Sequence, residues 1–230
     1  MRLRSLTAGM TLLLAVTACT GGQAARASVT PAERLAAAKA AMDRAGSVHL
    51  VLRSRDIPSS AGGVLGADGV GTHAPAFRGT LAARLAGLQA SVGVVAVGSE
   101  LYLKLPFTSQ FVRTDPATYH APDPSRLFAA QGGLSSLLTS TTGVTLGGRT
   151  RSGSTVLQTV SGSLPGRALD GLLPIGEPDA TFAATYGLTD PGNELRTVTL
   201  TGPFFRGSTS TYTLTLTLDR YGDPVEIRKP

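Results

Sequence analysis

One cysteine, no tryptophan and 5% aromatic residues stand in a chain of 230. A single thiol rules out an internal disulfide, so packing alone must hold the fold together. Scarce aromatics leave Leu, Val and Ala to build the core, with little aromatic filling. No run of five or more basic residues accompanies the formal charge of +6, so a nucleic-acid footprint is missing and no nucleic-acid partner is expected. The apolar run at residues 6–16 is too short for a membrane-spanning helix, which needs roughly 20 residues. Catalytic signatures are missing as well: there is no G-x-S-x-G elbow, P-loop or H-E-x-x-H. "GVGTHA" at 69–74 runs into Pro75 and opens no helix, so it is not a dinucleotide turn. His49, His73 and His120 are each isolated, and Asp115, Asp123, Asp190 and Asp223 all precede proline and read as turn formers. With no clustered carboxylates and no cysteine partners, neither a metal site, a cofactor nor an enzyme is expected.

What is present begins at the N-terminus. Arg2 and Arg4 give a basic start, and residues 6–16 have the length of a signal-peptide apolar region. Val16-Thr17-Ala18-Cys19 follows, and it resembles the lipobox of bacterial lipoproteins. That resemblance implies a lipid on the Cys19 thiol and cleavage before it. The expected organisation is a signal peptide with lipobox over 1–18, a flexible tether over 19–29 ("TGGQAARASV" at 20–29), and a single domain over 30–230.

The domain opens with a helix signal: Thr30, Pro31 and Glu33 fit a capping box with proline at the first helical position. Leu35, Ala38, Met42 and Ala45 share one face, and Gly46 is the expected stop. From Ser47 the dominant period is two. Val48, Leu50 and Leu52 alternate with His49, Val51 and Arg53; Phe77, Leu81, Ala83 and Leu85 share a face; Val92, Val94 and Ala96 lead through Gly98-Ser99 into Leu101, Leu103 and Leu105. Strands are also expected around 181–189 and 194–202, flanking Asp190-Pro191-Gly192-Asn193, and over "TYTLTLTLDR". The middle breaks the rhythm, with helical spacings in 123–139 split by Gly132-Gly133, and a further short helix in "PGRALDGLLP". Turns between short strands make the sheet antiparallel, and helices too short to stand alone must lie on it. The fold class is α+β: one long, curved antiparallel sheet with a few helices on one face.

"VVAVGSELYLKLP" (94–106), "DPSRLFAAQGGLSSLLT" (123–139) and "DRYGDPVEIRKP" (219–230) carry a resemblance to the LppX/LprA/LprF/LprG lipoproteins of actinobacteria. The resemblance implies a curved antiparallel β half-barrel with helices packed on the concave face around an apolar cavity. It also implies an acylated lipid or glycolipid as ligand, carriage of that lipid across the cell envelope, and work with a membrane transporter of the major facilitator type. It places the protein outside the cell, lipid-anchored to the outer face of the membrane through Cys19. On that reading the apolar faces nominate Leu81, Leu85, Val92, Val94, Ala96, Leu101, Leu103, Leu127, Phe128, Leu137, Leu138, Phe182, Ala184, Tyr186 and Leu214 as cavity lining. Ordinary core is the competing reading for every one of them. Two other functions stay open: a lipoprotein adaptor or sensor with a filled core, and an envelope-lipid esterase, which lacks a recognisable triad. The glycine-rich stretch at 62–71 is a departure, expected at the cavity entrance.

Overall fold

Thr30 caps the helix that follows it. In the computed structural model, which describes residues 29–57, 63–85, 88–115, 123–169, 171–173, 178–205 and 210–230, helix α1 spans Pro31–Arg44. The Glu33 amide donates to Thr30 Oγ1 at 3.2 Å and the Thr30 amide donates to Glu33 Oε2 at 2.7 Å, the reciprocal capping box that the spacing predicts. The stop differs from expectation. Ala45, not a left-handed glycine, ends the helix by turning extended (φ −71°, ψ 125°), and its amide bonds back to the Met42 carbonyl. Leu35, Ala38 and Met42 form the buried face, as their spacing requires.

Among the described residues, eleven strands form a single antiparallel sheet in the order β6-β5-β4-β3-β2-β1-β11-β10-β9-β8-β7. One half comprises β1 (Ser47–Arg55), β2 (Gly63–Thr72), β3 (Ala76–Leu85), β4 (Leu88–Val97), β5 (Glu100–Lys104) and β6 (Val112–Thr114). The other comprises β7 (Thr142–Ser152), β8 (Thr155–Pro165), β9 (Thr181–Thr189), β10 (Leu195–Gly202) and β11 (Tyr212–Asp219). The sheet is curved and unclosed, a half-barrel of α+β class, as expected. Strands β2, β6, β7 and β8 are additions to those the alternation reveals. Strand β2 is the glycine-rich stretch, and β7 is an edge strand exposed along almost its whole length.

Two expected helices are smaller than their sequences suggested. Residues 123–139 make a 3-10 turn at Pro124–Arg126, capped by the Asp123 carboxylate, and then helix α2 (Leu134–Ser140). "PGRALDGLLP" contributes only a 3-10 turn at Gly166–Leu169. The core also corrects the expectation of little aromatic filling. Tyr186, Phe77, Phe128 and Phe182 are the largest fully enclosed side chains, apart from a 2% residue on Phe128. Glycines make room for them. The Phe128 ring lies where a Cβ on Gly71 would stand, Phe77 reaches Gly69, and Phe182 reaches Gly202, so few aromatics fill much space.

The two ends of the half-barrel differ. The β2–β3, β4–β5 and β9–β10 turns share one end, and α1 lies across it. Arg34 near the start of α1 donates to Asn193 Oδ1 at 2.8 Å, and His73 Nε2 donates to the Met42 carbonyl near its finish at 2.9 Å. Lys39 donates to the Ala130 carbonyl and pairs with Asp43, whose other oxygen accepts from Ser135 at the start of α2. This is the closed end. The opposite end carries the β1–β2, β3–β4, β8–β9 and β10–β11 connections.

Candidate functional site

The register of the strands assembles apolar residues into rows across the concave face. One row runs Val160–Tyr186–Val198–Leu216–Leu52–Ala67–Leu81–Val92, from β8 to β4. A second runs Leu218–Leu50–Gly69–Gly79–Val94–Leu103. Period-two alternation alone puts these side chains on one face; the pairing turns them into a continuous floor.

Of the sequence-nominated residues, Val92, Val94, Ala96, Leu101, Phe128, Leu137, Leu138, Phe182, Ala184, Tyr186 and Leu214 belong to one buried cluster. Leu81, Leu103 and Leu127 are partly buried against it. The backbone of Leu85 pairs with Leu88 at the tip of the β3–β4 hairpin, and its side chain lies outside the described set. Cys19 also lies outside the described residues, as does His120. Leu52 and Ala67 are floor residues that the nominations missed. Ala67 hides among the glycines of β2, where no alternation of large and polar residues signals a strand.

The cover over this floor is uneven. On β9, Phe182 and Tyr186 are 0% exposed and Ala184 is 1% exposed, so that face is sealed along its length. Helix α2 packs on β8, and the Gly166–Leu169 turn packs on both. Tyr186 ties this cover down. Thr141 donates to the Leu137 carbonyl at 2.8 Å, so the Tyr186 hydroxyl, 2.6 Å away, donates to Thr141 Oγ1. Burial pushes the Tyr186 phenol up to about 12, which keeps it neutral. On β4 the inward face behaves otherwise: Val94 is 0% exposed, Val92 5%, and Leu88 at the open end 75%. Here the cover is the Pro124–Arg126 turn with Phe128, which sits at the closed end, where Ser125 Oγ donates to the Gly98 carbonyl. Among the described residues, Leu52, Ala67 and Leu81 are thus only partly buried, an apolar trough that leads towards Leu88 at the open end.

Among the described residues, the polar groups form no reactive constellation. His49 lies on the convex face, with Nδ1 2.6 Å from Asp219 and Nε2 3.0 Å from Asp68. Strands β2 and β11 bring those carboxylates to a histidine that is isolated in sequence. With both ring nitrogens occupied, it has none left for a metal ion or a substrate proton. Among the described residues, no group of His, Cys, Asp and Glu is placed to hold a metal, and no helix is long and apolar enough to cross a membrane.

The sequence profile of a family described as LppX_LprAFG lipoprotein matches residues 30–227. LprF from Mycobacterium bovis is similar in structure, with a TM-score of 0.73 at 19% identity, over 87% of this chain and 96% of that one. Lipoprotein LppX from Mycobacterium tuberculosis aligns with a TM-score of 0.62, also at 19% identity, over 86% of this chain and 98% of that one. No curated relative matches the chain. At these identities the two structures speak for the fold alone.

Proposed function

Because the chain belongs to the LppX_LprAFG lipoprotein family, we propose that it is an anchored carrier whose trough holds the acyl chains of a lipid or glycolipid. The observation that supports this most is the inward face of β4, which passes from fully enclosed at Val94 to 75% exposed at Leu88 without losing its apolar character. A filled core has no reason to continue as an uncovered apolar floor.

Moving a 16-carbon acyl chain into water costs on the order of 13 kcal/mol at ~0.8 kcal/mol per methylene. Unaided desorption from a bilayer is correspondingly slow. A trough of Leu, Val and Ala offers surroundings close to those of the bilayer, so it lowers the barrier without trapping its cargo. In this proposal no bond of the lipid is made or broken. The anchor is the Cys19 lipid, the location the outer face of the cell membrane, and the route onward a transporter of the major facilitator type. Native mass spectrometry of protein prepared without its anchor tests the carrier: co-purified acyl lipid is expected, and apoprotein alone returns the filled adaptor. The anchor has its own test. Cys19→Ala should lose metabolic labelling by a fatty-acid analogue, and unchanged labelling removes Cys19 as the modified residue.

A further inference from the structure

The geometry points to the open end as a membrane-docking lip that seats on an anionic bilayer and places the trough against the lipids it would load. This deepens the carrier reading and rests on it for its purpose, but the contact stands on separate observations.

Three large apolar side chains project at this end on adjacent strands: Leu88 at the start of β4 (75% exposed), and Leu105 (40%) and Phe107 (109%) just past β5. Phe107 is the strongest. Its ring is wholly in solvent, yet its backbone is held at φ 68°, a left-handed conformation that a bulky residue adopts only under constraint. The constraint is visible. Both the amide and the hydroxyl of Thr108 donate to the Leu105 carbonyl, at 3.2 and 2.8 Å, closing a tight turn with Phe107 at its tip. A ring displayed on a strained, hydrogen-bonded turn has no packing explanation among the described residues.

Charge selects the occupant. Arg53, Arg55, Arg84, Lys104 and Arg167 lie towards this end, against Asp56 and Asp179 among the described residues there. At the closed end, by contrast, Asp43, Glu100, Asp190, Glu194 and Asp219 are each paired with a cation: Lys39, Lys229, Arg149, Arg196 and Arg220. A basic, aromatic-tipped end suits an anionic lipid surface, which attracts juxtamembrane Lys and Arg and accepts aromatic rings at its interface.

The chain's lack of tryptophan makes the test clean. Full-length protein carrying Phe107→Trp, and a control carrying Val225→Trp in the C-terminal segment, are each reconstituted in equimolar phosphatidylglycerol–phosphatidylcholine vesicles containing brominated lipid. The Phe107→Trp reporter should shift to the blue and be quenched, less so in pure phosphatidylcholine or at high salt, while the Val225→Trp reporter stays unquenched. Equal quenching at both sites, or none at Phe107→Trp, overturns the lip. A blue shift that depends on protein concentration without vesicles also overturns it, because the patch would then pair two copies of the chain. The carrier and the lip fail separately: co-purified lipid with an unquenched Phe107→Trp leaves the carrier and removes the lip, whereas quenching without co-purified lipid does the reverse.

Discussion

Strands β9 and β4 present the same kind of inward face and meet different fates. Phe182, Ala184, Tyr186 and Leu188 on β9 are closed over from end to end, whereas Leu88, Ala90, Val92 and Val94 on β4 are closed only at one end. The cause lies in what covers them rather than in the strands. Helix α2, the Gly166–Leu169 turn and the Phe182–Phe204 ring pair, with centroids 4.8 Å apart, fill the concavity beneath β8–β10. Among the described residues, the cover over β2–β4 is a short turn and one ring, Phe128, seated on Gly71. One continuous sheet thus holds a solid half and an open half, and alternation alone does not tell an interior side chain from a lining one.

The largest effect should come from hollowing the solid half. Phe182→Ala removes a fully enclosed ring and its partner contact with Phe204, and should cost about 3–5 kcal/mol in thermal or denaturant unfolding. A cost under about 1 kcal/mol would mean that this half is not solid. Next comes overfilling, which reads the two halves against each other. Ala184→Trp should destabilise by roughly 1–3 kcal/mol or more, because nothing beside a 1% exposed alanine can give way. Ala67→Trp, on the trough floor, should melt close to the parent while holding less co-purified lipid. Equal destabilisation by both would erase the distinction between the halves.

Two smaller effects concern the closed end that both halves share. Thr30→Ala removes the oxygen that accepts from the Glu33 amide and should cost about 1 kcal/mol, leaving lipid content unchanged. A stability-neutral result would show that the capping box adds nothing to the closed end. The last prediction is one of direction. Glu100, at the start of β5, bonds Lys229 at 2.8 Å and accepts from Tyr102 at 2.6 Å, which lowers its carboxyl to about 2. Because this folded value lies below the ordinary 4.5, the stabilisation is complete above that pH and fades as pH falls towards 2. Carboxyl NMR should show Glu100 titrating late, with the C-terminal segment loosening alongside it. Titration at the ordinary value would show that the clamp does not form in solution.

Much of the fold was legible in the residues. The Thr30 cap, the alternation in β1, β3, β4, β5 and β11, and the turn between β9 and β10 are local chemistry, and each is found where its residues put it. Strands β2 and β7 were not legible for opposite reasons. Glycines at 63, 66, 69 and 71 erase the period of β2, and at 69 and 71 the rings of Phe77 and Phe128 occupy the space that a side chain would take. Strand β7 sits at an edge, exposed almost throughout, so burial imposes no period on it. At the candidate site, faces were readable but cover was not. That Ala184 and Val92 both point inward follows from parity; that one is sealed and the other leads to an opening depends on where residues 123–140 dock. The His49–Asp68–Asp219 cluster needed three strands in register before it existed at all.

The seam between β1 and β11 has a consequence for how the chain comes together. Every other neighbouring pair in the sheet joins strands consecutive in sequence, so each half is a meander that can grow from local hairpins. The central pair, with Leu50 facing Leu218, joins the first strand to the last. A chain made from its N-terminus therefore holds β1 with an unpaired edge until its final strand has been synthesised. Assembly is limited by one long closure rather than by many short ones. Until that closure the first half is a sheet with a free inner margin, the state in which this chain is most open to pairing with a wrong strand.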